Sequence, residues 1–159
     1  MKSDRMMRCI EIEIAIARHL NPRMNLIVPN VWWGFGLNYE ADLVVVKPSG
    51  YAWEVEIKIS VSDLKAEKNK RHAHNSNKFK RLYFAVPFKM QEQAQALIPE
   101  RSGLFVVNDD LEVLLVKAPK VNRYAKKLRS DEIQKLQSLA AMRIWSLKEV
   151  ILKKYVGEK

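Results

Sequence analysis

The 159-residue chain has few of the residues that cross-link, anchor or interrupt a fold. A single cysteine excludes an intramolecular disulfide, and no apolar run is long enough to span a bilayer. The five glycines and six prolines are scattered, without a repeat or a linker. Acidic residues are scarce beside basic ones, 18 against 28. These absences favour one globular domain over residues 1–159 with no membrane anchor.

The net charge of +10 is the strongest compositional signal. A field of that sign attracts polyanions such as DNA, RNA or an anionic membrane surface. A basic protein without such a partner is the alternative, and charge alone does not separate the two. Glu11 and Glu13 interrupt the apolar stretch near the N-terminus, which argues against a signal peptide. We therefore expect a cytoplasmic protein with no membrane partner.

Periodicity and turn signals predict an α/β protein in which a mixed β-sheet is flanked by helices. The expected helices span residues 4–19, 63–72, 91–97 and 131–155. The expected strands span residues 24–28, 41–47, 51–59, 82–86, 104–107 and 111–116. The core of the domain is expected over about residues 5–117, followed by a long C-terminal helix over about residues 131–155.

Amphipathic patterns predict which faces of the first and last helices are buried. The first helix has an apolar stripe that Glu13 interrupts, whereas Glu11 aligns with basic residues on a solvated side. The residues of that stripe are Ile10, Ile14, Ala17 and Leu20. The expected inward residues of the last helix are Ile133, Leu136, Ala140, Ile144, Leu147 and Ile151.

The clearest local feature is a predicted hairpin between the strands at 41–47 and 51–59. Pro48 suits the first central position of a type I turn, and Gly50 suits the left-handed position after it. Together with Ser49 they form a three-residue hairpin loop. This loop pairs Lys47 with Tyr51 and so fixes the register of the two strands.

Counting back along this register places Asp42 opposite Glu56, with their Cβ atoms roughly 5 Å apart on one face. Lys58 projects from that face as well. Two such carboxylates repel unless a cation lies between them, and Mg²⁺ or Mn²⁺ accepts carboxylate, phosphate and water oxygens. The lysine can orient or deprotonate a water, or neutralise charge on phosphorus. An ordinary salt-bridge cluster is the alternative, but the apolar flanks of both strands argue against an exposed edge.

Asp42, a hairpin and then Glu56-Ile57-Lys58 resemble the core motif of the PD-(D/E)XK nuclease superfamily, although Ala41 stands where the motif has its proline. Three further blocks, EVEIKISVSDLKAEKNKR, RLYFAVP and IPERSGLFVVNDD, are similar in their order to the MmcB-like DNA-repair proteins of that superfamily. The likeness covers about residues 40–110, with a weaker match at SLAAMRIW. The resemblance implies a restriction-endonuclease-like αβββαβ core and metal-dependent cleavage of nucleic acid.

By position, the resemblance implies that Asp42 and Glu56 are metal ligands for Mg²⁺ or Mn²⁺ and that Lys58 is the catalytic lysine. Members of the superfamily often add a glutamate from the first helix, and Glu13 fits as a catalytic and metal-binding residue. The alternative for Glu13 is a partly buried carboxylate paired with a nearby base. Glu54, on the same face as Glu56, either supports the site or competes for the metal.

Basic side chains follow the motif, and we expect them to flank the metal-bearing end of the sheet and to contact phosphates on both sides of the scissile bond. These nucleic-acid-binding candidates are Lys65, Lys68, Lys70, Arg71, Lys78 and Lys80. A solvated helix face and loop is the alternative. A second basic stretch over residues 117–129 extends the footprint or forms a solvated connector. Trp32, Trp33 and Phe35 close over the core or stack on bases.

The sequence therefore predicts a metal-dependent nuclease that hydrolyses phosphodiester bonds in DNA and serves DNA repair or processing. The first alternative is a non-catalytic DNA-binding accessory module on a nuclease fold. The second is an RNA-binding protein, which the charge permits but no recognition motif supports.

Overall fold

A computed structural model of the chain describes residues 6–32, 35–67 and 76–157. The strands are β1 Leu26–Val31, β2 Ala41–Val46, β3 Ala52–Ile57, β4 Phe79–Pro87, β5 Gly103–Val107 and β6 Val113–Lys117. The helices are α1 Cys9–His19, α2 Val61–Glu67, α3 Gln91–Leu97 and α4 Ser130–Gly157. The fold is an open mixed sheet flanked by helices, as the sequence predicts. The described helices include none that is long and apolar enough to cross a bilayer.

The six strands lie in the sheet in their order along the chain, from β1 to β6. The pairs β1–β2, β2–β3 and β5–β6 are antiparallel, whereas β3–β4 and β4–β5 are parallel. The parallel pairs are connected through α2 and α3. A parallel connection has to carry the chain back to the end of the sheet where the previous strand began. Since β2 and β3 lie inside the sheet, the expectation that neither is an edge strand is confirmed.

The hairpin between β2 and β3 has the loop and the register predicted from the sequence. Lys47 N donates to Tyr51 O at 2.9 Å, and Gly50 N donates to Lys47 O at 2.9 Å. Gly50 has a φ of +86°, the left-handed conformation that favours glycine. The β2–β3 ladder keeps this register, and its extension by one residue places Asp42 opposite Glu56.

Helices cover both faces of the sheet. On one face, Ile12 and Ile16 of α1 pack in a core cluster with the odd-numbered side chains of β2 and β3. On the other face, Leu136 of α4 packs over β1 and β2. Leu64 of α2 and Ala94 of α3 pack on that same face over β4 and β5. The even-numbered residues of β3 therefore lie between the apolar cluster under α4 and the cluster under α2 and α3.

The buried face of α1 differs from the predicted stripe. Ile10 and Ile14 are 54% and 40% exposed, so their predicted burial is wrong. The buried side chains are Ile12, Ala15, Ile16 and Leu20. Alternating isoleucines give this helix two apolar stripes. The stripe with Ile12 and Ile16 packs on the sheet, and the predicted stripe with Ile10 and Ile14 does not. In the described residues α1 begins at Cys9, where Glu11 Oε2 accepts from Arg8 N at 2.8 Å.

The helix α4 has nearly the predicted bounds but packs over only part of its length. Leu136 is 1% exposed, and Ile133 and Ala140 pack beside it. Ile144, Leu147 and Ile151 are 55%, 56% and 45% exposed, so their predicted inward position is wrong. A 28-residue helix is about 42 Å long and contacts mainly β1, so it extends past the sheet.

The two halves of α4 should respond differently to the same substitution. We expect Leu136→Ala to lower the free energy of unfolding by about 2–4 kcal/mol, because it leaves a cavity in the core. Leu147→Ala serves as the matched control and should change it by less than about 0.5 kcal/mol, since that side chain is 56% exposed. Urea denaturation of both variants measures this difference, and equal losses would contradict the described packing of α4.

Candidate active site

Asp42, Glu56 and Lys58 come together at the carboxyl end of β3, as the register predicts. Lys58 Nζ lies 3.2 Å from Glu56 Oε2. Asp42 Oδ2 accepts a 2.7 Å hydrogen bond from the backbone N–H of Ile57. Lys58 N donates to Ala85 O at 3.0 Å, which continues the pairing with β4 past the end of β3. Backbone hydrogen bonds thus hold Asp42 and the main chain of Lys58 in place, and the ion pair with Glu56 positions the lysine side chain.

The pairing of β2 with β3 ends at Leu43 and Val55. Just beyond that pair, the Asp42 carboxylate accepts the hydrogen bond from the N–H of Ile57. Burial raises the pKa of Asp42, while the Ile57 N–H and the Lys58 ammonium partly offset that effect. On α1, burial and then the charge of Asp42 raise the pKa of Glu13. Both directions indicate a site with more negative charge than its surroundings solvate well.

Lys58 is held by a second carboxylate that the sequence analysis did not assign to the site. Its Nζ lies 2.9 Å from Glu67 Oε2, and all three side chains are largely buried, with exposures of 11% for Lys58, 3% for Glu56 and 5% for Glu67. Burial lowers the pKa of Lys58, but Glu56, Glu67 and Asp42 outweigh it and leave the pKa raised. The lysine is therefore a positioned cation.

Glu67 has a sequence signal that the neighbouring basic residues obscure. It follows the buried Leu64 by three residues on α2, so the two share one helix face. A carboxylate on the buried face of a helix needs a cationic or hydrogen-bonding partner. This position predicts that Glu67 pairs with a buried base and does not belong to the solvent-exposed run of charged residues around it.

Glu54 precedes Glu56 by two residues on the same face of β3 and is fully buried. Tyr39 Oη donates to Glu54 Oε2 at 2.9 Å. Burial, followed by the charge of Glu54 and this hydrogen bond, raises the pKa of Tyr39, so the phenol stays protonated as a donor. This contact favours the supporting role for Glu54 over competition for a metal.

The described residues contain no group of three or more His, Cys, Asp or Glu side chains that could hold a metal ion. Asp42 and Glu56 are adjacent, but Glu13 does not complete a set of three with them. A site for a hard divalent ion would thus have two protein carboxylates and take its other ligands from water and phosphate. The role of Glu13 as a ligand stays a prediction.

The basic residues expected around the site lie in different places. Lys65 is exposed on α2, the helix that brings Glu67 to Lys58, while Lys68, Lys70 and Arg71 lie outside the described residues. The expectation that Lys78 and Lys80 flank the end of the sheet with the candidate site is wrong. They stand at the start of β4, where Phe79 pairs with Ala52, about 17 Å along the strands from the Glu56–Phe84 pair.

Lys78 and Lys80 are at the far end because β4 runs parallel to β3, so the chain returns to the beginning of the sheet before β4 starts. Lys78 forms an ion pair with Glu132 of α4 and lies 4.8 Å from the ring centroid of Phe35. Phe35 is buried, as its core interpretation predicts, whereas Trp32 is 56% exposed. Trp33 lies outside the described residues.

Comparison with known proteins identifies both a family and a similar fold. The model of the MmcB-like family, described as DNA repair protein MmcB-like, matches residues 4–150. The SPO1766 protein of unknown function from Silicibacter pomeroyi has a similar structure, with a TM-score of 0.67 and 22% sequence identity over 93% of this chain and 94% of that chain. At that identity the likeness shows the fold alone. No curated protein gives a significant match. Since the family model spans most of the sequence, the chain belongs to the MmcB-like DNA repair protein family.

Proposed function

We propose that the protein is a metal-dependent nuclease of the PD-(D/E)XK superfamily that hydrolyses phosphodiester bonds in DNA. The observation that carries the proposal is the convergence of Asp42, Glu56 and Lys58 at one end of β3. Membership of a DNA repair family supports DNA as the polymer and repair or processing as the context. The net charge of +10 supports a polyanionic substrate.

Two carboxylates and a lysine fit the binding of Mg²⁺ or Mn²⁺ with the substrate phosphate. Burial raises the pKa of Asp42 more than the Ile57 N–H and the Lys58 ammonium lower it, so a bound cation would stabilise the charged form of this carboxylate. Mg²⁺ is commonly bound through one or two carboxylates, with phosphate and water completing its shell. When bound, such an ion polarises the phosphoryl group and acidifies a bound water. Asp42 and Glu56 would hold it.

Lys58 would act as a positioned cation. Despite burial, the charges of Glu56, Glu67 and Asp42 raise its pKa, which favours the protonated ammonium. A fixed positive charge stabilises the negative charge that develops around phosphorus. Glu67, at 2.9 Å from Nζ, is a positioning residue that holds the ammonium in place.

A non-catalytic DNA-binding module is the second candidate function. The observation in its favour is that Lys58 is already engaged by two carboxylates, at 3.2 and 2.9 Å. The lack of a three-ligand group in the described part of the chain points the same way. The two candidates differ in one measurable property, which is cleavage in the presence of a divalent ion.

We expect wild-type protein to bind Mn²⁺ in a calorimetric titration and the Asp42→Ala/Glu56→Ala variant to lose that binding. Asp63→Asn/Asp109→Asn is a matched control, because it removes two exposed carboxylates and should bind Mn²⁺ like the wild type. Binding should weaken as the pH falls, since a carboxylate with a raised pKa is protonated more readily. Equal binding by the wild type and the double variant would place the metal elsewhere.

We expect Lys58→Ala to slow single-turnover cleavage of DNA by about 100- to 1000-fold, the usual effect of removing a charge aimed at the transition state. DNA binding at fixed salt should change little, since at most one phosphate contact is lost. Lys153→Ala removes the same charge from an exposed position on α4 and should leave the cleavage step nearly unchanged.

Lys58→Ala also leaves two buried carboxylates without their cation, which destabilises the fold. The variant Lys58→Ala/Glu67→Gln removes one of those charges and separates loss of chemistry from loss of folding. It should remain folded and equally inactive. If the wild type binds DNA but cleaves neither duplex, single-stranded nor branched substrates with Mg²⁺ or Mn²⁺, the nuclease proposal fails and the binding module replaces it.

A further inference from the structure

A group of cations surrounds two aromatic rings at the amino end of β4 and the loop end of the β2–β3 hairpin. We call it the basic cluster, and its members are Lys47, Tyr51, Trp53, Lys80, Arg81 and Lys127. Tyr51 directly precedes β3 and Lys58 directly follows it, so they are separated by about 23 Å at roughly 3.3 Å per residue. The basic cluster is thus well away from the candidate active site.

Each ring of the basic cluster carries two cations. Lys80 Nζ lies 3.6 Å and Lys127 Nζ 5.7 Å from the ring centroid of Tyr51. Lys47 Nζ lies 4.6 Å and Arg81 Cζ 5.1 Å from that of Trp53. Such contacts hold long side chains in place while leaving their charge uncompensated. The rings thus act as supports for an array of fixed positive charges.

Among the described residues, the ion pairs include none between a carboxylate and this array. Within the part of the chain that the structure describes, Lys47, Lys80, Arg81 and Lys127 form no ion pair. Lys78 close by is different, because it is paired with Glu132. Four cations left unpaired around two rings make a surface of strongly positive potential.

The basic cluster is built on ordered backbone from separate parts of the chain. The connector after β6 is tied to the sheet, because Leu128 N donates to Gly50 O and Asn122 N donates to Lys80 O, both at 2.9 Å. The side chain of Lys127 packs against Gly50, 3.6 Å from where a Cβ would stand. Hydrogen bonds therefore hold the backbone of Lys80 and of the connector in place before a ligand arrives, which lowers the entropy cost of binding.

We propose that the basic cluster is a second nucleic-acid-binding surface that contacts backbone phosphates of DNA at least about 20 Å from the reacting phosphate. The ligand is a phosphodiester backbone and not a stacked base, because cations already occupy positions over both rings. The proposal extends the nuclease function above, since the cluster would hold a distant segment of the same substrate. It requires no catalytic step of its own.

The test compares Lys80→Gln/Lys127→Gln with Lys148→Gln/Lys153→Gln in a DNA-binding titration without metal. The control also removes two lysines, one of which lies over a ring, since Lys148 Nζ is 5.5 Å from the centroid of Trp145. The cluster variant should bind a 30-base-pair duplex about 10- to 100-fold more weakly and lose about two units of salt slope, at roughly 0.9 per phosphate contact. The control should stay within about threefold of the wild type.

The aromatic supports provide a separate readout. Tyr51→Leu keeps every charge but removes the ring, and should weaken binding, whereas Tyr51→Phe should not. If Lys80→Gln/Lys127→Gln fails to fold, Lys47→Gln/Arg81→Gln tests the other ring of the cluster. Equal affinity and salt slope in the cluster variants, the wild type and the control would overturn the proposal.

Cleavage kinetics distinguish failure of this proposal from failure of the nuclease function. In an active enzyme the cluster variant should raise KM for a long duplex and leave kcat unchanged, because the cluster is remote from the chemistry. Cleavage with no dependence on the cluster would refute the second surface alone. Cluster-dependent binding without cleavage would support the second surface and refute the nuclease.

Discussion

The left-handed conformation of Gly50 is the constraint on which the candidate site depends. With a φ of +86°, it closes a three-residue loop and sets the pairing of β2 with β3. A shift by one residue would turn every side chain of one strand to the other face. Asp42 and Glu56 would then face opposite sides of the sheet. A turn some 15 to 20 Å from the carboxylates thus decides whether they meet.

The register explains why the cluster is charged and buried at once. Glu56 lies on the sheet face that α2 and α4 cover, and Lys58 follows it two residues later. Burying one carboxylate alone would cost several kcal/mol, so the lysine and Glu67 form a compensated group. Such a group is a weak source of stability but fixes an ammonium in a defined position. The ion-pair group thus contributes to the geometry of the site more than to the stability of the fold.

Local features of the chain could be predicted because local backbone chemistry determines them. The hairpin, the bounds of α3 and the adjacency of Asp42 and Glu56 follow from turn residues and alternation. The buried face of α1 could not be predicted, since isoleucines at successive even positions supply more than one apolar stripe. Nor could the exposed half of α4, because an amphipathic pattern does not reveal where the sheet beneath it ends. The sequence signal of Glu67 predicts a buried partner but does not identify it, since only the packing of α2 over β4 brings Glu67 to Lys58.

The parallel pairing of β3 with β4 also separates the charges of the molecule. The carboxyl end of β3 has Lys58 among three carboxylates, Asp42, Glu56 and Glu67, while the amino end of β4 has the basic cluster. Adjacent carboxylates such as Asp42 and Glu56 repel a phosphate until a divalent ion binds between them. A basic end has no such requirement and attracts the polymer in the absence of metal. In a nuclease built this way, retention of DNA and its cleavage would rest on different ends of one sheet, and only cleavage would need the ion.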